Sequence, residues 1–142
     1  MLAARKMPEF TVEKDSIAVI DIKGKGRGVI ATKFIQKEEI IEICPVIILN
    51  KEESFSVEKS LLDHYLFSWS RPGRYCASLK DEKEIWTMLC GFGALYNHSS
   101  SPNADFNLDY PARSVVFTAF SNIMPGQEIC INYNLPLWFE EK

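Results

Sequence analysis

The chain has 142 residues, 46% of them hydrophobic and 25% charged, with a formal net charge of −3 and a pI near 5.4. That length sets one domain by the usual span of roughly 100–200 residues, and a chain of this size buries a core without staples. The composition is that of a globular protein rather than a disordered one. The balance of charge lacks the basic face of a nucleic-acid binder. It fits a cationic partner such as a lysine-rich peptide, although solubility alone accounts for it equally well.

The four cysteines, Cys44, Cys76, Cys90 and Cys130, form no Cys-X-X-Cys pair. No zinc site is therefore expected, and no disulfide framework; buried, reduced thiols in a cytosolic protein are expected instead. The opening Met1-Leu-Ala-Ala-Arg-Lys6 lacks the apolar segment of a signal peptide. No run approaches the ~18 apolar residues of a membrane span. A cytoplasmic location with no membrane contact is the expectation.

In chain order, Phe10-Thr-Val12 and Ile17-Ala-Val-Ile-Asp-Ile22 read as short strands on either side of a turn at Asp15-Ser16. Lys23-Gly-Lys-Gly-Arg-Gly28 sets three glycines at alternate positions. That pattern suits a hairpin turn as well as a ligand loop with exposed N–H groups; without a following Gly-Lys-Ser/Thr it is not a P-loop. Ile40-Ile-Glu-Ile-Cys-Pro-Val-Ile-Ile-Leu49 is the most β-branched run, a strand with Pro45 at a bend or edge. Asn50 opens a polar segment of turn and helix character up to Lys59. Ser60-Leu-Leu-Asp63 has the spacing of a helix start, which sets His64, Tyr65, Leu66 and Phe67 on one short helix or its exit. Arg71-Pro-Gly73 is a turn and Asp81–Glu84 a solvated charge cluster.

Gly91-Phe-Gly-Ala-Leu-Tyr-Asn-His-Ser-Ser-Ser-Pro-Asn103 then delivers Asn97 and His98 from an apolar run into small polar residues. A regular element ends there and leaves hydrogen-bonding groups free. Ala104–Leu108 and Ser114–Ala119 alternate as strands around a turn at Asp109–Arg113. After a turn at Ile123-Met-Pro-Gly126, Glu128-Ile-Cys-Ile-Asn-Tyr133 is a last strand. Short strands every 8–12 residues with one or two brief helices make a mostly-β domain.

Four of these segments, in order, resemble the motifs of SET-domain protein-lysine methyltransferases. Lys25-Gly-Arg-Gly-Val-Ile-Ala31 is similar to the first motif and Tyr65-Leu-Phe67 to the tyrosine segment of the variable insert. Leu95-Tyr-Asn-His-Ser-Ser-Ser-Pro-Asn103 resembles the central motif, and Ile123-Met-Pro-Gly-Gln-Glu-Ile-Cys-Ile-Asn-Tyr133 the last. Ser100 stands where nuclear histone enzymes of the family usually carry Cys, and the cysteine-rich flanks of those enzymes have no counterpart here. The chain therefore resembles the compact SET proteins of bacteria and large viruses.

The resemblance implies a SET β-clip across residues 1–142, with a core at about 15–134, an insert at 50–90 and a C-terminal tail at 135–142 that closes the site. The last strand would thread through a loop near Asn97-His98 in a pseudoknot. It implies S-adenosylmethionine (SAM) as cofactor, S-adenosylhomocysteine as product and no metal. Lys25, Gly26, Arg27 and Gly28 would meet the amino-acid end of SAM through backbone N–H groups. Asn97 would do so through its amide, and His98 through backbone near adenine rather than as a base. Tyr133 would orient the amine at the point of transfer; with a pKa near 10 it stays protonated at neutral pH and need not act as a base.

Tyr65 would line the lysine channel or touch SAM, a helix-core aromatic being its plain alternative. Trp138 or Phe139 would close the channel or stack on adenine. Ile131, where the family often has Phe or Tyr, leaves the channel apolar and implies di- or trimethylation. The implied partner is a lysine-containing protein, a histone or histone-like tail among the candidates, with nuclear action in that case. Homodimerisation is one way for so small a domain to complete a peptide groove. A non-catalytic SET module that binds a peptide or partner is the alternative; a small-molecule or ribosomal-protein methyltransferase would share the chemistry.

Overall fold

A computed structural model describes residues 12–69 and 85–133 of the chain. Phe10, Thr11, the Arg71–Gly73 turn, Cys76, the Asp81–Glu84 cluster, Trp138 and Phe139 lie outside the described residues. Among the described residues the fold is mostly β, built from two five-stranded sheets.

The first sheet contains β1 (Val12–Lys14), β2 (Ile17–Ile22), β3 (Gly26–Ala31), β7 (Asn97–His98) and β10 (Glu128–Ile131), in the order β1-β2-β3-β10-β7. The second contains β4 (Ile40–Leu49), β5 (Phe67–Ser68), β6 (Trp86–Leu89), β8 (Ala104–Asp109) and β9 (Ser114–Ala119), in the order β5-β6-β4-β9-β8. The α-helix among the described residues, α1 (Lys51–Val57), begins in a capping box in which Asn50 and Glu53 satisfy each other's backbone N–H groups. No helix among the described residues is long and apolar enough to cross a membrane.

Several local expectations shift by a few residues. The glycine segment is a hairpin: Gly24 turns at φ 80°, and Gly26 and Gly28 already pair with Ile22 and Ile20 inside β3. β4 is central in the order of its sheet, and Pro45 ends the stretch of it that is paired with β9. There β4 changes partner, pairing with β9 up to Pro45 and with β6 from Val46. Ser60 precedes a 3₁₀ turn at Leu61–Tyr65 but makes no side-chain cap; its hydroxyl donates back to the Val57 carbonyl at 2.6 Å. Phe67 has left that turn for β5. Cys44 and Cys130 are buried free thiols as expected, whereas Cys90 is free but exposed, at the end of β6 where the chain leaves the sheet.

One core joins the sheets. Ile17, Val29, Ile129 and Ile131 from the first meet Cys44, Phe106, Val115 and Phe117 from the second, with Tyr96 between them. Tyr96 stacks on Phe117 at 4.6 Å between centroids, and Phe67 meets Phe106 edge-on at 4.9 Å. Full burial of each aliphatic side chain contributes about 1.5–3 kcal/mol. The strand that matters most to the site is β10. It lies antiparallel to β3 and parallel to β7, with Cys130 opposite Asn97 and Ile131 opposite His98. Asn103 holds it again further along, donating to the Glu128 carbonyl at 2.8 Å and accepting from the Cys130 N–H at 2.9 Å. The Asn97–Asn103 loop thus clasps the last strand at both of its ends.

Candidate active site

Successive side chains of a strand point to opposite faces, and this divides the Asn97-His98 pair between two places. Asn97 faces the start of β3. Its amide donates to the Arg27 carbonyl at 3.1 Å and to Glu128 Oε2 at 2.7 Å. The other oxygen of Glu128 accepts from Lys25 Nζ at 2.7 Å. Both side chains of that ion pair are only about a fifth exposed (20% and 18%), so solvent screens it less than a surface pair.

Gly28 sits against this cluster. A Cβ there would run into the Ile22 side chain, and would lie 2.7 Å from the Asn97 amide and 2.8 Å from Glu128 Oε2. Gly26, two residues earlier, has φ +79° and open space where a Cβ would stand. Beyond Ile30 and Val29, whose partners are Glu128 and Ile129, β3 runs past the start of β10. Lys25, Arg27, Gly28 and Asn97 are brought together around Glu128 of the last motif, and Gly26 lies beside them in β3.

His98 faces the other way. It is buried, and its Nδ1 accepts the backbone N–H of Tyr133 at 3.0 Å. An accepting Nδ1 fixes the neutral tautomer with the proton on Nε2. The imidazole works as a strut between β7 and the chain after β10, a side-chain role compatible with the backbone contact to cofactor that the resemblance implies. Tyr133 lies two residues beyond β10, 8% exposed, with its ring 5.2 Å from that of His98. Its hydroxyl donates to the Tyr96 carbonyl at 2.7 Å. Ile131, fully buried, pairs with His98.

Tyr96 is in turn held from below. Its hydroxyl donates to Glu42 Oε1 at 2.8 Å. The second oxygen, Oε2, accepts from the Phe92 N–H at 2.9 Å and from Lys14 Nζ at 3.2 Å. Burial raises the Cys44 thiol well above the usual range, and the adjacent Glu42 charge pushes it the same way.

Glu42 was missed in the sequence because a bulge between Ile40 and Glu42 breaks the alternation of β4, turning Ile41 and Glu42 inward together. Tyr65 closes its 3₁₀ turn half-buried; among the described residues it makes no hydrogen bond or ring contact with either cluster.

Residues 26–134 match the SET domain, and the chain belongs to the SET-domain family, whose fold the two sheets and the β7–β10 pairing reproduce. A Schizosaccharomyces pombe histone-lysine N-methyltransferase, H3 lysine-37 specific, is 30% identical over 132 residues, 92% of this chain and 82% of that protein. Among solved structures, a candidate histone methyltransferase of Plasmodium falciparum is 29% identical with a TM-score of 0.61, over 89% of this chain and all of that one. Arabidopsis thaliana SUVH6 in complex with SAM is 27% identical with a TM-score of 0.64, over 86% of this chain and 29% of that one. An active polycomb repressive complex 2 shares the fold, with a TM-score of 0.64 at 19% identity over 86% of this chain and 16% of the matched one.

Proposed function

We propose that this SET-domain methyltransferase family member transfers a methyl group from SAM to the side-chain amine of a protein lysine, on a histone or histone-like basic tail. The observation that carries the reading is Tyr133: buried beside His98, anchored through its backbone N–H, its hydroxyl aimed at the Tyr96 carbonyl. The S. pombe relative, a histone-lysine methyltransferase by name, supports the substrate class. The SAM complex of the Arabidopsis neighbour supports the cofactor.

The residues of the first cluster fit an amino-acid zwitterion. Lys25 offers a cation for a carboxylate and Glu128 an anion for an ammonium, while the Asn97 amide and the exposed backbone of Gly26 and Arg27 add neutral hydrogen-bonding groups. Such a pair, partly desolvated and already matched, exchanges partners with the ligand at low reorganisation cost. When bound, SAM supplies an electrophilic methyl on a sulfonium. The chain's own residues then have three tasks: to align an amine, to exclude water and to keep the amine neutral.

Tyr133 serves the first. Its proton is committed to the Tyr96 carbonyl, so towards an incoming amine N–H the oxygen acts as an acceptor and holds the nitrogen in line. A hydroxyl already donating to a carbonyl is an orienting group rather than a base. Fully buried Ile131 beside it offers an apolar wall, which disfavours the ammonium form of a lysine whose ordinary pKa is about 10.4. The absence of a hydroxyl at Ile131 favours di- or trimethylation.

The test is transfer of labelled methyl from SAM to purified core histones, with Tyr133→Phe beside the wild type. Loss of the hydroxyl is expected to lower kcat about 100-fold, the scale of a misplaced nucleophile, with SAM affinity by calorimetry unchanged. Transfer by the variant at the wild-type rate would remove the assigned role. Failure of the wild type to bind SAM at all would favour a non-catalytic module.

A further inference from the structure

The buried carboxylate under the central motif belongs to neither cluster that would touch substrate or cofactor. Glu42 is 4% exposed, and its side chain only 1%. Its partner Lys14 is 45% exposed, so the pair is lopsided, with a desolvated anion and a cation still half in water. An arrangement of this kind is a poor stabiliser, since an apolar side chain of similar volume does as well or better.

The carboxylate does, however, have both oxygens engaged by the segment that leads to the site: the Tyr96 hydroxyl on Oε1, and the Phe92 N–H on Oε2. The segment is shaped to reach it. Gly91 has φ +73°, and a Cβ there would stand 2.5 Å from Glu42 Oε2; at Gly93 a Cβ would stand 3.0 Å from Cys44 Sγ. The two glycines flanking Phe92 thus let the backbone lie directly on the Glu42–Cys44 face of β4.

We propose that Glu42 is a positioning residue for methyl transfer: by fixing Tyr96 and the Phe92 backbone it fixes the Tyr96 carbonyl, and through that carbonyl the direction of the Tyr133 hydroxyl. The inference rests on the methyltransferase reading for its catalytic consequence, though not for its geometric one. The path is short and continuous, from carboxylate to the Tyr96 ring, through one residue's backbone, to the hydroxyl at 2.7 Å. A ring stacked on Phe117 at 4.6 Å and tethered at its far end has little freedom to tilt. The tether therefore sets where its own carbonyl points.

Tyr96→Phe cuts the tether without changing the ring or the carbonyl. Glu42→Gln keeps an acceptor for the Tyr96 hydroxyl but offers an amide NH₂ in place of the second oxygen. Two readouts are made on both variants and the wild type: steady-state transfer from SAM to core histones, and the ring resonances of Tyr133 in protein labelled with ¹³C-tyrosine, assigned with Tyr133→Phe. Tyr96→Phe is expected to lower kcat about tenfold, as for a small misalignment, with KM for histone and Kd for SAM within twofold and the Tyr133 signal shifted or broadened. Glu42→Gln is expected to fall between Tyr96→Phe and the wild type.

A kcat within twofold of wild type with an unmoved Tyr133 signal in both variants would overturn the proposal. So would a loss of rate that merely tracks the folded fraction. If the wild type transfers no methyl to histones, the proposed function is what fails, and the Tyr133 resonances still decide whether Glu42 orients that hydroxyl.

Discussion

Cys44 and Cys90 carry the same thiol into opposite surroundings. Cys44 is fully buried on the inner face of β4, where desolvation and then the Glu42 charge both disfavour the thiolate. Cys90 is exposed. Reaction with a disulfide reagent needs thiolate and access together, so Cys90→Ser is expected to remove one rapidly reacting equivalent at pH 8 and Cys44→Ser none. Counting thiols released with and without denaturant checks this; fast loss of the Cys44 equivalent in the native protein would mean that β4 opens.

The same raised pKa gives a sign for stability. Above about pH 8.5 the unfolded thiol loses its proton while the folded one keeps it. The folded state then holds more protons than the unfolded one, and stability falls as pH rises through the alkaline range. His98 makes the same point about environment. Its sequence neighbours give it no single role, and what assigns one is a backbone N–H that arrives 35 positions later.

At the scale of elements, β3 contains two glycines that the sequence presents as equivalent. Gly26 turns through φ +79° in open space, whereas Gly28 has ordinary backbone and no room. Their substitutions are expected to differ in their effect on binding. Gly26→Ala imposes left-handed strain and costs about 1 kcal/mol, visible as a lower denaturation midpoint, with SAM binding weakened less than by the change at Gly28 because no side chain enters the Asn97–Glu128 cluster. Gly28→Ala presses on the Ile22 side chain and on the ends of the Asn97 and Glu128 side chains; calorimetry is expected to show SAM binding weakened about tenfold, or 1.4 kcal/mol, a larger loss than Gly26→Ala gives. The opposite order would place the ligand away from the Asn97–Glu128 cluster.

That contrast marks what the sequence could convey. Alternating and β-branched runs predicted β2, β4, β8, β9 and β10 but not β5, β6 or β7, which are two to four residues long and take their shape from partner strands; the motif resemblance set Lys25, Arg27 and Asn97 at one ligand. The pattern could not say which glycine was a turn and which a close approach, because that depends on a side chain arriving from β10. Nor could it expose Glu42, whose partners Phe92 and Tyr96 lie 50 and 54 residues on and whose inward direction comes from a bulge. Pro45 was legible only in part. A proline in a run of isoleucine reads as an edge until the change of partner strand at that position is seen.

For the whole molecule, the question is whether two sheets fold as one body. A single core cluster draws on both; the Lys14–Glu42 ion pair ties β1 to β4, and Asn103 adds a second polar tie. Its carbonyl accepts from the Phe120 N–H just past β9, while its side chain grips both the Glu128 carbonyl and the Cys130 N–H of β10. The residue opens the way into β8, so one side chain links the last strand of the first sheet to the edge of the second. Asn103→Ala takes the partner from a part-buried carbonyl and a part-buried N–H at once, at about 1–3 kcal/mol, and the expected midpoint shift is several degrees for a domain of this size. Because the core is shared, calorimetry should still record one transition, with the calorimetric and van't Hoff enthalpies equal. Two resolved transitions in the variant, with the first removing SAM binding, would instead mean that the first sheet opens by itself and that Asn103, more than the apolar core, makes the molecule one cooperative unit.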